Sequence, residues 1–287
     1  MPPVVVRRQG RGIVLVAVLW IVAALSIFVA GFSRSAREEA RIATSQREAV
    51  QGQALGNAAI QLVLQSINAR RTPPSALERT VVNYQGTAIE VEVMPLSGLI
   101  DLNAAPVPVL ANLYRLIGGL PEGAAQALAQ ATNDVRSHKD GSAVAGFEAP
   151  EELLQLPGFT YEAYARLAPF VTADLRGSGR VNPLAAPVEV LAVLAGGDSA
   201  AAARIAAARQ AAGQNPGTVD TTALDPSAIA TTAARRARLN ARVPLASGAW
   251  QVISMSVEFS ARQTDGTPWH VFNVHQAYEP AARSSAF

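Results

Sequence analysis

Apolar and polar positions divide this chain into stretches of different period. From Ile13 to Phe32 every residue is uncharged and most are apolar, with no polar face. A helix of about 20 such residues spans the hydrocarbon core of a bilayer. Beyond Phe32 the pattern turns amphipathic. Arg34, Arg37, Glu38, Glu39, Arg41, Gln46, Arg47 and Glu48 crowd the first turns; then Leu55, Ala59 and Leu62 share one face, with Ile60, Val63 and Ile67 beside them. No proline occurs between Val4 and Thr72, so one helix is predicted from about Ile13 to about Asn68, roughly 80 Å long at 1.5 Å per residue. Arg70-Arg71-Thr72-Pro73-Pro74 ends it.

The period then changes to two. Val81, Val82 and Tyr84 lead to a turn-like Gln85-Gly86, and Ile89, Val91 and Val93 alternate with Glu90 and Glu92, which predicts a hairpin over Thr80 to Met94. A second pair of strands is predicted from Trp250 to Phe259 and from Trp269 to Tyr278, with Asp265-Gly266 as the turn. Between the strand groups, Asp101 to Ala241 is alanine-rich and reads as helical. This block repeats itself. Leu102-Asn103-Ala104-Ala105-Pro106 resembles Val181-Asn182-Pro183-Leu184-Ala185-Ala186-Pro187, and each copy runs on to a Gly-Gly pair, Gly118-Gly119 and Gly196-Gly197. The two copies are read either as a structural duplication or as two helix starts, with a polar cap and proline in the first turn.

Composition sharpens this outline. A chain of 287 residues with 49% hydrophobic content has enough apolar side chains for a core beyond the N-terminal run. Net charge is only +2, and the one basic cluster, Arg7, Arg8 and Arg11, precedes the apolar run. By the positive-inside tendency the N-terminus stays cytoplasmic and the remainder crosses the membrane. Gly12 separates the basic leader from the apolar run, where a prepilin-type leader is cut. A secretory signal is instead cut after its apolar region, and Val29 and Gly31 make a poor site of that kind. The chain has no cysteine, which excludes disulfides and thiolate metal sites.

Signals of catalysis are poor. His270 and His275 stand at odd spacing in the last strand, which places them on opposite faces, and His138 stands alone. No G-x-S-x-G, H-E-x-x-H, phosphate-binding loop or G-x-G-x-x-G occurs, so the chain is read as noncatalytic. Gly177-Ser178-Gly179 reads as a linker. Asp134, Asp140, Glu148, Glu151 and Glu152 surround a Gly-containing loop and are candidate calcium ligands, although their spacing fits no EF-hand and a solvated surface is the competing reading. Glu151 to Phe159, E-E-L-L-Q-L-P-G-F, resembles the turn of helix-hairpin-helix modules, some of which hold a DNA phosphate on backbone N–H groups. Thr160 replaces the second glycine of the DNA-binding version and no basic cluster follows, so a structural hairpin is expected.

Three features coincide: a short basic leader ending in glycine, an apolar segment continuing as a long helix, and a helical block opening with S-G-L-I-D-L-N-A-A-P (Ser97 to Pro106). Together with E-E-L-L-Q-L-P-G-F they resemble the general secretion pathway protein K family, the largest minor pseudopilin of type II secretion systems, over nearly the whole chain. The resemblance implies cleavage between Gly12 and Ile13 by a prepilin peptidase, N-methylation of Ile13, and a tip complex with minor pseudopilins I and J on a filament of major pseudopilin G. It implies residence in the bacterial inner membrane with a single pass, a periplasmic globular part, and the pseudopilus tip once assembled. Some relatives bind calcium, which leaves calcium as the one cofactor to consider. Most pilin-like subunits carry glutamate at the fifth mature position; here it is Ala17, which suits a subunit with none above it, because an unpaired carboxylate in lipid is costly.

The fold class expected is α+β: a long N-terminal transmembrane and stalk helix packed on a small antiparallel sheet, with a large α-helical insertion of helical-hairpin (SAM-like) repeats. The domain boundaries expected are a leader at 1–12, a transmembrane helix at 13–32, a stalk at 33–70, a sheet from 80–96 and 248–279, and an insertion at 97–241. Two rival classes stand beside this reading: a membrane-anchored, competence-type DNA-binding protein and a secreted hydrolase cleaved near Gly31.

Overall fold

The computed structural model describes residues 11–137, 146–175, 177, 179–212, 218–231, 235–259 and 267–280, with the side chains of 11–14, 27 and 29–37 outside that description. Helix α1 (Arg11–Arg70) is continuous, as the absence of proline requires. The chain forms two compact units, 1–52 and 53–287. In the first, the described side chains of α1 from Leu15 to Ser26, and Phe28, are exposed. Among the described residues no helix is long and apolar enough to cross a membrane. Positions 27 and 29–32, which would complete the apolar run, have side chains outside the description.

The second unit builds its sheet from two hairpins and one joining strand. Strands β1 (Glu78–Tyr84) and β2 (Thr87–Pro95) pair in register, Tyr84 against Thr87. Gln85 and Gly86 both have positive φ (49° and 77°), the backbone of a two-residue hairpin turn that follows the sheet twist. After short β3 (Ile100–Asp101) and β4 (Val171–Thr172) come β5 (Arg236–Pro244), β6 (Trp250–Phe259) and β7 (Trp269–Glu279). The main sheet is antiparallel with order β1-β2-β5-β6-β7. One face carries Ile89, Val91, Val93, Ala237, Leu239, Ala241, Val243, Ile253, Met255 and Val257. Against it α1 lays Leu55, Ala59, Ile60, Val63, Leu64 and Ile67; Leu62, expected on one face with Leu55 and Ala59, is instead 42% exposed, and Leu64 is buried. Each fully buried Ile or Leu there contributes about 1.5–3 kcal/mol. Gly56 allows the approach, since a Cβ there would run into the Ile253 side chain.

Two expectations are corrected here. The last residues of the block expected to be helical, 236–241, belong to β5, the strand that joins the hairpins. Alanine and arginine favour helix locally, but Ala237, Leu239, Ala241 and Val243 alternate with Arg236, Arg238, Asn240 and Arg242, and burying the first set overrides propensity. His270 and His275 also share one face of the sheet rather than opposite faces: they pair with Glu258 and Ser254, four residues apart on β6. The irregularity between Ser256 and Val257 adds a residue to β7 between Val271 and Asn273, and the extra residue flips the phase. The Asp265-Gly266 turn lies outside the described residues.

The insertion between β2 and β5 contains α2 (Val107–Leu116), α3 (Glu122–Ser137), a 3₁₀ turn (Pro150–Gln155), α4 (Tyr161–Leu167), α5 (Val188–Leu194) and α6 (Ser199–Ala212). Its separate core gathers Leu110, Leu113, Tyr114, Leu153, Leu167, Val190 and Leu191, all fully buried. Phe159 meets Tyr114 edge-on at 5.4 Å between ring centres.

Candidate functional site

The feature with the clearest demand on its surroundings is the start of α1. Leu15, Trp20 and Phe28 are 74%, 73% and 74% exposed, and Leu19, Ile21, Val22 and Leu25 lie around the same turns. A helix apolar on every side is stable in lipid or in a packed bundle, not in water. Its lone hydroxyl, Ser26 Oγ, donates to Val22 O at 2.8 Å. Gly12 and Ile13 lie in the first turns of this helix, and Arg11 begins it; nothing is described of their side chains. Arg7 and Arg8 lie outside the described residues.

The repeated motif proves to be more than two helix starts, and the polar caps expected there are not seen: proline itself stands at the N-cap of α2 (Pro106, with no side-chain cap) and of α5 (Pro187). In the first copy, Ala105 precedes the proline that opens α2, and Arg136 near the end of α3 folds back to donate to Ala105 O (2.7 Å) and Leu102 O (3.2 Å). In the second, Ala186 precedes the proline that opens α5, and Arg209 near the end of α6 donates to Ala186 O (2.6 Å), Leu184 O (3.1 Å) and Pro183 O (3.3 Å). Each copy closes on a parallel bridge: β3 pairs with β4, and Val181 with Ile229. The asparagines brace each turn. Asn103 Nδ2 donates to Phe147 O and Ala173 O and its Oδ1 accepts from Phe147 N–H, while Asn182 Nδ2 donates to Ser75 O.

The copies also pack reciprocally. A Cβ on Gly98, which leads into the first copy, would overlap the Ala185 carbonyl of the second, and a Cβ on Gly179, which leads into the second, would overlap the Ala104 carbonyl of the first. Gly179, expected to be part of a linker, is therefore a packing joint with φ +71°; Ser178 lies outside the described residues. Asp101 is buried beside this joint. Burial raises its pKa, against the lowering effect of the Asn103 and Gly177 N–H groups and of Arg136. Burial likewise lowers the pKa of Arg136 and of Arg209. Neither arginine stands out in the sequence, because a basic residue in a last helical turn is ordinary macrodipole chemistry.

The acidic candidates are engaged in local contacts. Asp134 is exposed and accepts from Gln130 Nε2 at 2.9 Å. Glu151 accepts from the Tyr164 hydroxyl at 2.9 Å, and burial with this bond raises the tyrosine's pKa. Glu152 accepts from Glu148 N–H at 3.3 Å, one residue ahead of the N-cap of the 3₁₀ turn. Asp140 lies outside the described residues, and among those described no group of three or more His, Asp or Glu side chains is placed to hold a metal ion. The L-P-G-F turn forms as expected: Gly158 has φ +90° and Thr160 caps α4 by accepting from Ala163 N–H at 3.2 Å. Its surroundings are acidic, with Glu148, Glu151, Glu152 and Glu162, and Arg166 is paired to Glu162. A phosphate backbone requires the opposite charge.

The fold is similar to that of a chain in the GspK-GspI-GspJ complex from the enterotoxigenic Escherichia coli Type 2 Secretion System, with a TM-score of 0.52 at 16% identity, covering 81% of this chain and 98% of that one. No protein-family model matches the sequence. No curated protein sequence matches it. At that identity the likeness establishes the fold: α+β, a five-stranded antiparallel sheet against a long helix, pseudopilin-like, with an insertion of several helices.

Proposed function

We propose that this chain is a minor pseudopilin of a type II secretion system that sits at the tip of the pseudopilus. Arg7, Arg8 and Arg11 orient the precursor, a prepilin peptidase cuts between Gly12 and Ile13, and Ile13 becomes the methylated N-terminus. The segment from Ile13 to Phe32 holds the subunit in the inner membrane before assembly and packs among its neighbours' helices afterwards, with the globular part in the periplasm. Minor pseudopilins I and J, and major pseudopilin G below them, are the partners this reading requires. The chain acts by assembly rather than by catalysis.

One observation carries the proposal: an all-round apolar helix runs without a break into the helix that covers a pseudopilin-like sheet. The long insertion between β2 and β5 favours the tip, where a bulky unit meets the fewest neighbours, and Ala17 in place of an acidic residue agrees with it. The acidic setting of the L-P-G-F turn counts against the DNA-binding alternative. The test is the intact mass and N-terminal residue of the chain co-expressed with its prepilin peptidase. A chain starting at N-methylated Ile13 is the expected result; an uncut chain, or one starting beyond Gly31, would remove the proposal.

A further inference from the structure

The two edges of the main sheet differ in chemistry. β1 is seven residues long and carries Glu78 and Arg79, which are paired to Arg70 and Glu92 at 3.0 and 2.7 Å. Charged edges of this kind discourage further strand pairing. β7 is eleven residues long, and from Trp269 to Tyr278 it has no Asp, Glu, Lys, Arg or Pro. Its one irregularity lies near Val271, so 273–279 is a regular strand paired on one side only among the described residues. Val274 and Tyr278 project from the face that α1 covers elsewhere, yet they are 52% and 57% exposed. His270, Asn273, His275 and Gln276 are exposed as well.

We propose that the β7 edge receives an extended, uncharged strand from a neighbouring subunit anchored in the same membrane. The strand form follows from the edge itself, whose outward N–H and C=O groups are satisfied by another extended backbone. Its lack of charge follows from the six uncharged positions from Asn273 to Tyr278 beside it, where a lysine or glutamate would be desolvated without a partner; the one acid of the strip, Glu279, is already paired to Arg242. Co-anchoring follows from size. Seven residues give a strip about 24 Å long and one strand wide, well below the roughly 1,200 Å² of a stable independent interface. Such a contact is held when both partners are already confined, here by apolar helices such as Leu15–Phe28, so that the second contact forms at high effective concentration. This inference rests on the assembly role proposed above and names the surface it uses.

The test places p-benzoylphenylalanine at Val274 or Tyr278 of the full chain, and at Val81 on the β1 edge as control, in cells making the cognate secretion proteins. The expected result is an adduct with one other membrane-anchored subunit from both β7 sites and none from Val81. The adduct position should move by four residues along the partner as the probe moves four along β7, which is the signature of strand pairing. Gln276→Lys and, separately, His275→Glu put charge on the edge at exposed positions and should abolish the Tyr278 adduct while far-UV circular dichroism is unchanged; two substitutions guard against one failing to fold. No adduct from β7, an adduct with a second copy of this chain, adducts without a common register, or adducts that survive both charges would overturn the proposal. N-terminal mass is read on the same samples: a mature Ile13 terminus with no β7 adduct sinks the edge alone, whereas an unprocessed chain sinks the assembly role.

Discussion

Three glycine-to-alanine substitutions separate backbone strain from close packing and so test the reciprocal joint in the insertion. Gly196 has φ +67° and open space where a Cβ would lie, so Gly196→Ala carries only the left-handed backbone penalty, about 1 kcal/mol. Gly98 has no such φ, yet its Cβ would lie 2.8 Å from Ala186 N and closer still to the Ala185 carbonyl. Loss of unfolded-state freedom alone would make Gly98→Ala stabilising by about 0.4–1 kcal/mol, but the overlap is with backbone that cannot rotate away, and a net cost of about 2–3 kcal/mol is expected. Gly179 combines both terms, with φ +71° and a Cβ 2.9 Å from Ala105 N, so Gly179→Ala should cost about 3–5 kcal/mol. Thermal unfolding of the full chain in detergent, followed by far-UV circular dichroism, reads the series at about 2–4 °C per kcal/mol. The order should be Gly196→Ala mildest, then Gly98→Ala, then Gly179→Ala. A Gly98→Ala variant as stable as wild type, or milder than Gly196→Ala, would refute the packing of one copy's lead-in against the other's turn.

Two further predictions concern polar groups in the same core. Arg136→Met should destabilise by about 2–4 kcal/mol, because it strips a charged donor from two carbonyls, and Arg136→Lys should restore only part of that, since an ammonium can stand in for Nη1 at the two carbonyls but does not also supply the Nη2 bond to Asn133 Oδ1. The cost depends on pH. Asp101's raised pKa means that its contribution is fully present below the unfolded value near 3.8 and is lost as pH rises through the folded value, while Arg136 offsets that loss. Urea denaturation should therefore show a larger Arg136→Met effect at pH 7 than at pH 3, and an effect independent of pH would contradict the electrostatic influence of Arg136 on Asp101. Tyr114 is buried with its hydroxyl 2.9 Å from Thr132 Oγ1, and burial pushes its pKa up to about 12. The unfolded chain ionises first, so this tyrosine's contribution is intact below pH 10 and falls away as pH approaches 12. Tyr114→Phe should cost about 1 kcal/mol at pH 7 and flatten the alkaline loss of stability in a pH titration of the melting temperature.

What could be read from the sequence depended on whether one physical signal acted alone. The N-terminal helix was legible from hydrophobic period and proline placement, the Gln85-Gly86 hairpin from period and turn chemistry together, and β6 and β7 from their runs of β-branched and aromatic residues. Strand β5 was not, although Arg236 to Val243 alternates without fault, since its alanines and arginines continue the composition of the helical block before it. The histidine faces were misread because period two assumes an uninterrupted ladder, and one extra residue in β7 inverts it. The site's arginines were hidden for another reason. Arg136 and Arg209 act on carbonyls some thirty and twenty-odd residues back, and no local pattern distinguishes a basic residue that turns inward from one that stays in water. The duplicated turn was nevertheless visible as L-N-A-A-P against V-N-P-L-A-A-P, and that similarity carries a constraint the single copies do not. Two copies that each need a glycine from the other's lead-in cannot form independently, so the insertion should fold as one unit rather than as two hairpins in series. A variant in which Gly179→Ala loosens one copy should therefore lose amide-exchange protection in α2 and α5 together; protection lost from α5 alone would show that the halves are separable after all.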